Sequence, residues 1–203
     1  MATIEYYLAT LSPYCYLAGT RLEEIAGRHG ASVTYRPLDF NALLSRTGGV
    51  RVADRHPNRL EYRAQDLLRQ AARLGMPFHL KPAHWPTNGA PAAYAIIAAG
   101  KSVAAGGPGD MGALCHGILR ACWSEEKNVA EDGVIRDCLS AAGFDPALAD
   151  KGLFTSADDY ERNLEDAVVA GAFGTPFYVV RETGERFWGQ DRLDDLDSYL
   201  ATL

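Results

Sequence analysis

The sequence predicts an α/β fold in which a β-α-β half and a β-β-α half are separated by an all-helical insertion. Three observations predict it. The apolar run at residues 4–9 leads directly into an amphipathic run at 13–30. Near the other end, apolar runs flank a turn at residues 182–185. Between these ends, apolar residues recur with helical spacing. We therefore assign residues 1–46 and 172–203 to one discontinuous α/β domain, and residues 47–171 to the insertion.

The first half begins with a strand at 4–9, a helix at 13–30 and an alternating strand at 32–37. A short helix and a polar loop rich in Gly, Arg and Asp follow, at 39–46 and 48–57. Prolines make residues 76–90 an irregular loop. The insertion helices are predicted from their apolar stripes and caps at 58–74, 91–104, 110–124, 128–142, 146–151 and 156–171. The chain closes with strands at 177–181 and 186–188 and a helix at 191–200.

Composition excludes several classes of function. The net charge of −6 and the pI of about 5.3 argue against nucleic acid or an anionic membrane surface as a partner. No apolar stretch reaches membrane-spanning length, and the first residues lack the basic and apolar regions of a signal peptide. The four cysteines, Cys15, Cys115, Cys122 and Cys138, show no metal-ligand spacing. We expect reduced thiols, no metal, and a cytoplasmic protein.

The most informative segment is Ser12-Pro13-Tyr14-Cys15, which lies between the first strand and the first helix. Thioredoxin-like enzymes carry C-x-x-C at this place, where the first cysteine is the reactive thiolate. A hydroxyl cannot exchange disulfides, but it can hydrogen-bond a thiolate that a ligand brings in. Free N–H groups at the helix start would favour the same anion. The simpler interpretation is a Ser N-cap followed by Pro at the first helical position.

A second segment, Gly174-Thr175-Pro176, runs into an apolar strand near the C-terminus. In thioredoxin-like folds, a cis-proline with this flanking faces the start of the active-site helix. The residue before that proline, here Thr175, offers its backbone to a bound peptide in strand-like pairing. The alternative is a proline at an edge strand or turn. The two segments together are far more specific than either alone.

With these motifs in order, the chain resembles the 2-hydroxychromene-2-carboxylate isomerases, relatives of the kappa-class glutathione transferases and of the DsbA-like thioredoxin superfamily. The resemblance covers nearly the whole chain and implies a thioredoxin-like fold with a helical insertion domain. It rests on Ser12-Pro13-Tyr14-Cys15-Tyr16-Leu17, Thr47-Gly48, Tyr62 with Asp66-Leu67 and Arg69, Gly75-Met76-Pro77, Pro82, Pro86-Thr87-Asn88, Gly174-Thr175-Pro176 and Trp188-Gly189-Gln190-Asp191-Arg192-Leu193.

The resemblance implies a glutathione-dependent cis–trans isomerase, usually a homodimer, acting on small aromatic degradation intermediates. Ser12 would be catalytic and would hydrogen-bond the glutathione sulfur. The remaining glutathione contacts would come from Thr175, Pro176, Trp188, Gly189, Gln190 and Asp191. Substrate contacts would come from Asp54, Arg55 and Trp85.

Other functions stay open at this point. A kappa-class-like glutathione transferase would use the same residues and release the adduct as product. A DsbA-like thiol–disulfide oxidoreductase would use Cys15, although the first cysteine of its motif is missing. A non-catalytic glutathione-binding module is the third alternative. Two departures from the family pattern concern the substrate: Ala9 stands where Asp is usual, and Leu44 where one isomerase subgroup has Lys.

Overall fold

The computed structural model describes all 203 residues and contains one four-stranded mixed sheet. Its strands lie in the order β2-β1-β3-β4. β1 pairs in parallel with β2 and antiparallel with β3, and β4 pairs antiparallel with β3. The predicted α/β class and the split order of its two halves are confirmed. The strand bounds are β1 Thr3–Leu8, β2 Ser32–Pro37, β3 Phe177–Val180 and β4 Glu185–Trp188.

Ten α-helices surround the sheet, and 3-10 turns at Val52–Asp54 and Gln190–Arg192 precede the fourth and the tenth. None of the ten is both long and apolar enough to span a bilayer. The helices are α1 Pro13–Ala18, α2 Arg21–His29, α3 Phe40–Thr47, α4 Pro57–Leu74, α5 Ala90–Ala104, α6 Met111–Trp123, α7 Asp132–Ala141, α8 Leu148–Thr155, α9 Ala157–Val169 and α10 Leu193–Leu200.

The prediction of one continuous helix over residues 13–30 is wrong, because the chain breaks at Gly19 into α1 and α2. Gly19 has a φ of 60°, a conformation that side chains other than glycine rarely adopt. The guanidinium of Arg21 satisfies the carbonyls released at the break, donating to Leu17 at 2.9 Å and to Ala18 at 3.2 Å. Helix α1, which follows Ser12, is therefore only six residues long.

Alternate residues of the central strands β1 and β3 face two separate cores, as the pleat requires. Ile4, Tyr6 and Leu8 of β1 belong to the larger core, which continues without interruption among the insertion helices to Trp123. Tyr7 belongs to a smaller core on the opposite face, which is closed by α3 and α9. The sheet and the insertion thus share one hydrophobic core. The domain boundaries at 46/47 and 171/172 stay predictions.

The sheet topology brings the two informative segments together. β1 and β3 are adjacent and antiparallel, and Tyr7 pairs with Phe177 near one edge of the sheet. The chain leaves β1 and enters β3 at this edge. Ser12 follows β1 and Thr175 precedes β3, so the two residues meet although 163 positions separate them.

Candidate functional site

Ser12 caps the N-terminus of α1. Its backbone is extended, its Oγ accepts the N–H of Cys15 at 3.2 Å, and Pro13 is the first helical residue. The N-cap interpretation is therefore correct as local structure. The side chain is almost buried, with 8% of the residue exposed. One lone pair of Oγ accepts the hydrogen bond that caps the helix. The hydroxyl hydrogen can therefore donate to another partner.

That hydrogen bonds across the sheet edge. Ser12 Oγ donates to the carbonyl oxygen of Thr175 at 3.4 Å. The Thr175–Pro176 peptide bond is cis, as the sequence predicts. The N–H of Thr175 makes no hydrogen bond within the chain, and its buried side-chain hydroxyl has no nitrogen or oxygen partner and lies near the Cys15 thiol. Thr175 therefore presents unpaired backbone and side-chain polar groups beside Ser12, and buried polar groups of this kind normally have partners.

The start of α1 offers fewer free donors than the sequence suggests. Pro13 has no N–H, the N–H of Cys15 is taken by Ser12 Oγ, and the N–H of Tyr16 is taken by the Ser12 carbonyl. The N–H of Tyr14 alone remains free in the first turn. The expectation of several free helix-start N–H groups is corrected to one N–H and the Ser12 hydroxyl. The short helix also contributes a smaller dipole.

Cys15 lies beneath Ser12 and is 1% exposed. Burial raises the pKa of its thiol, and the neighbouring Ser12 hydroxyl offsets only part of that effect. All four cysteines are free thiols. A reactive cysteine needs exposure and a lowered pKa, and Cys15 has neither.

Trp188 and Gly189 form the rim of the site next to Thr175. The indole of Trp188 is 53% exposed and packs edge-on against Phe173, with ring centroids 4.7 Å apart. A side chain on Gly174 would collide with this indole. Gly189 has a φ of 109°, and its N–H donates to the Pro176 carbonyl at 3.0 Å. The loop after β4 is thereby fastened to the cis-proline turn.

Gln190 and Asp191 lie on opposite sides of that loop. Gln190 is 1% exposed; its Oε1 accepts from Arg21, and its Nε2 donates to Gln70 at 3.2 Å. Both the oxygen and the nitrogen of its side-chain amide are hydrogen-bonded inside the protein, so only its backbone is available to a ligand. Asp191 is exposed, and its only ionic partner is Arg192 at 4.0 Å. Asp191 is the available acid at this end of the site.

The three residues predicted to contact substrate, Asp54, Arg55 and Trp85, lie in three different surroundings. Asp54 is exposed and pairs with Arg51 at 2.7 Å. Arg55 donates to the Val50 carbonyl at 3.0 Å; burial lowers the pKa of its guanidinium, and nearby Arg59 lowers it further. Trp85 donates its indole N–H to the Leu11 carbonyl at 3.3 Å. Trp85 therefore touches the residue before Ser12.

Tyr14 and Arg63 also lie at the site, and the sequence analysis did not select them. The hydroxyl of Tyr14 donates to Asp66 at 3.2 Å, and burial raises the pKa of that phenol to about 12. The guanidinium carbon of Arg63 lies 5.9 Å from the centre of the Tyr14 ring. The available signal was the four-residue spacing of Arg59 and Arg63, which places both on one face of α4. No group of three or more His, Cys, Asp or Glu residues is arranged to hold a metal ion.

Comparison with known proteins identifies the family of this chain. A family model described as a DSBA-like thioredoxin domain matches residues 3–201. The chain belongs to this family. Within the DSBA-like family, the hydroxyl of Ser12 distinguishes it from members that carry a cysteine pair.

The chain is similar over nearly its whole length to two enzymes named 2-hydroxychromene-2-carboxylate isomerase. The Sphingobium xenophagum enzyme is 28% identical over 98% of this chain and 97% of its own. The Pseudomonas putida enzyme is 25% identical, with 98% and 95% covered.

Solved structures support the fold. A 2-hydroxychromene-2-carboxylate isomerase superimposes with a TM-score of 0.79 at 23% identity, covering 98% of this chain and 95% of that one. The cytosolic disulfide reductase DsbM from Pseudomonas aeruginosa, solved with GSH, gives a TM-score of 0.69 at 22% identity, with 98% of both chains covered.

Proposed function

We propose that this protein is a glutathione-dependent isomerase of 2-hydroxychromene-2-carboxylate-like aromatic compounds. One observation carries the proposal: the Ser12 hydroxyl lies beside Thr175, whose N–H and side-chain hydroxyl are both unpaired. The names of the similar enzymes supply the reaction class.

The residues present fit glutathione. The free N–H of Thr175, and its carbonyl, which accepts only the long hydrogen bond from Ser12, suit strand-like pairing with a short peptide. Exposed Asp191 suits the ammonium group of the γ-glutamyl end, while Trp188 and Gly189 flank it. Bound glutathione would supply the sulfur nucleophile that adds to the conjugated carbon and is expelled after bond rotation, so it would not be consumed.

Ser12 would act as the donor to negative charge on sulfur. Its hydroxyl hydrogen now points to the Thr175 carbonyl at the long distance of 3.4 Å, so turning it toward a better acceptor costs little. The free N–H of Tyr14 is the second donor available at this place. Both donors favour the thiolate over the thiol near neutral pH.

Positive charge for a substrate carboxylate would come from the α4 side. Leu44, at the position where one isomerase subgroup has Lys, is 4% exposed and apolar. Arg55 is partly buried and is held near Tyr14. A guanidinium is suited to a carboxylate because its N–H groups form a fork.

Of the two alternative enzymes, the structure argues against one and leaves the other as a candidate. A kappa-class-like transferase would use the same donors and differs only in the fate of the sulfur, so it remains the second candidate. A DsbA-like oxidoreductase would need Cys15 as its thiolate, and the burial and raised pKa of Cys15 argue against it.

The decisive experiment follows the thiol. Glutathione is supplied at a small fraction of the concentration of 2-hydroxychromene-2-carboxylate, and conversion and free thiol are measured together. Full conversion with unchanged thiol supports the isomerase. Loss of thiol in step with substrate identifies a transferase. If conversion does not depend on glutathione, the proposed cofactor is wrong.

Two expectations from the sequence stay predictions. Sedimentation would test the homodimer, and localisation of the tagged protein would test the cytoplasm. The four free cysteines suit a reducing compartment.

A further inference from the structure

The start of α4 and the loop before it carry three arginines at four-residue intervals, Arg55, Arg59 and Arg63. The first helical turn of α1, which begins at Ser12, packs against this region. Two charged groups of α4 contact Tyr14 of α1. The carboxylate of Asp66 accepts the Tyr14 hydroxyl at 3.2 Å, and the guanidinium carbon of Arg63 lies 5.9 Å from the centre of the Tyr14 ring. Tyr14 is only two residues from the catalytic hydroxyl, so this positive charge adjoins the site.

Arg63 is exceptional among the basic residues of the chain. Five of them are partly buried: Arg21, Arg36, Arg55, Arg63 and Arg136. Four of the five are satisfied by carbonyl, amide or carboxylate oxygens. Arg63 has no hydrogen bond and no ion pair, although its guanidinium has five N–H donors. Such a partly desolvated, unpaired charge is unfavourable unless a ligand completes it.

The acids that could neutralise Arg63 are already engaged. Asp66 accepts the Tyr14 hydroxyl at 3.2 Å and lies 3.6 Å from Arg69. Asp54 pairs with Arg51 at 2.7 Å. The like charge of Arg55 adds to burial in lowering the pKa of the Arg63 guanidinium. A protein of net charge −6 therefore keeps a local excess of positive charge beside its site.

The ring of Tyr14 satisfies Arg63 only in part. A cation over an aromatic face gains some electrostatic attraction, but the ring accepts none of the guanidinium hydrogen bonds. The hydrogen bond from the Tyr14 hydroxyl to Asp66 fixes the ring that lies beside this guanidinium. An unpaired guanidinium matches the two oxygens of a carboxylate.

We propose that Arg63, held over the Tyr14 ring, binds a carboxylate of the ligand together with Arg55 and so selects anionic ligands. This inference rests on the proposed function, because that function brings three carboxylates to the site. The γ-glutamyl carboxylate would lie at the Asp191 end, which leaves the carboxylate of the aromatic substrate and that of the glycine of glutathione. Arg63 is a binding residue for whichever of the two lies on the α4 side of Ser12.

The test uses calorimetric titration of the 203-residue chain and needs no turnover. The probes are trans-cinnamate with its methyl ester, and glutathione with its glycine monoethyl ester, so that each ester lacks one carboxylate. The variants are Arg63→Gln, Arg63→Lys and the control Arg162→Gln, which removes an exposed charge on α9. We expect Arg63→Gln to weaken one of the two carboxylate probes about tenfold or more, the usual effect of losing a charged hydrogen bond. The partner probe without that carboxylate should bind wild type and variant equally.

The result shows which of the two carboxylates Arg63 binds. A selective loss for cinnamate assigns Arg63 to the substrate, and a selective loss for glutathione assigns it to glycine. Wild-type affinity of Arg63→Gln for both acids overturns the inference, as does failure of the wild type to bind either acid. Thermal unfolding checks the fold; if Arg63→Gln does not fold, Arg63→Lys decides, because it keeps the charge and loses the fork. Arg63-dependent cinnamate binding without any glutathione binding would refute the proposed function and leave this inference standing.

Discussion

The Oγ of Ser12 lies 3.4 Å from the carbonyl oxygen of Thr175 and accepts the N–H of Cys15 at 3.2 Å. One hydroxyl thus caps a helix through its oxygen and reaches across the sheet edge through its hydrogen. The cap stabilises the fold, whereas the hydrogen is available for chemistry. The two contributions can be measured separately.

Ser12→Ala should lose both contributions. We expect turnover to fall by about 10²-fold, as for loss of a key donor to developing negative charge. We expect unfolding free energy to fall by about 1 kcal/mol, as for loss of an N-cap. The measurements are kcat with glutathione and urea denaturation. The matched control is Asp110→Ala, which removes the same type of cap, to Ala113 N–H, from α6. If both variants lose turnover equally, Ser12 has no role beyond the cap.

The cysteines should be poorly reactive in the native protein. Burial raises the pKa of Cys15 and Cys115, and it raises the pKa of Cys122 to about 12 and of Cys138 to about 11. Because all four thiols stay protonated at pH 7, iodoacetamide should label slowly and only at Cys138, which alone is partly exposed. Raising the pH to 9 should speed that labelling. Rapid native labelling of Cys15, mapped by mass spectrometry, would contradict the description of the site.

The residue at position 12 should decide whether the reactive sulfur belongs to the protein or to bound glutathione. Ser12→Cys places a thiol three residues before Cys15 and restores the C-x-x-C arrangement. We expect this variant to gain insulin-reduction activity that disappears when Cys15→Ser is added. The wild type should reduce insulin no faster than buffer, and Cys15→Ser alone should keep isomerase activity within a few-fold. Robust reduction by the wild type would favour the oxidoreductase.

Gly174→Ala should damage the site through Trp188. The added methyl group would collide with the indole, so the rim beside Thr175 must move. We expect weaker glutathione binding in a titration, with a cooperative unfolding transition retained. Gly27→Ala is the matched control, because a Cβ there meets nothing within 4 Å. Within α2 that change should raise the unfolding free energy by about 0.5–1 kcal/mol and leave binding unchanged.

Arg55→Ala should raise KM for the carboxylate substrate more than it changes kcat. This split is the pattern of an interaction made equally in the ground and transition states. Arg46→Ala is the control, since Arg46 is exposed and pairs with Glu165 on α9. A fall in kcat at constant KM would instead place Arg55 against the reacting atoms.

Much of this molecule follows from local sequence signals. The apolar run at residues 4–9 and the Gly-Thr-Pro turn predict the central strands, and the likeness of the two segments to those of thioredoxin-like folds predicts the meeting of Ser12 and Thr175. The break at Gly19 was missed because an amphipathic pattern does not report φ, and Gly is tolerated inside helices.

The missed and misplaced site residues depend on tertiary contacts. Gln190 lies in a motif that predicts ligand contact. Its side-chain amide is instead hydrogen-bonded to Arg21 and Gln70, which belong to helices distant in the sequence. Arg63 looks like any exposed helix arginine in the sequence. Its unpaired state emerges only when α4 lies against Tyr14.

The pairing of β1 with β3 has a consequence for how the protein is made. Ile4 lies opposite Val180 in the antiparallel pair, so the centre of the sheet joins the beginning of the chain to a segment near its end. Closing so long a loop is slow, and β1 has only β2 as a neighbour until then. During synthesis, the edge of β1 stays unpaired until residue 180 has left the ribosome. Catalytic activity in a nascent or refolding chain should therefore appear last, as a reporter that the whole fold has closed.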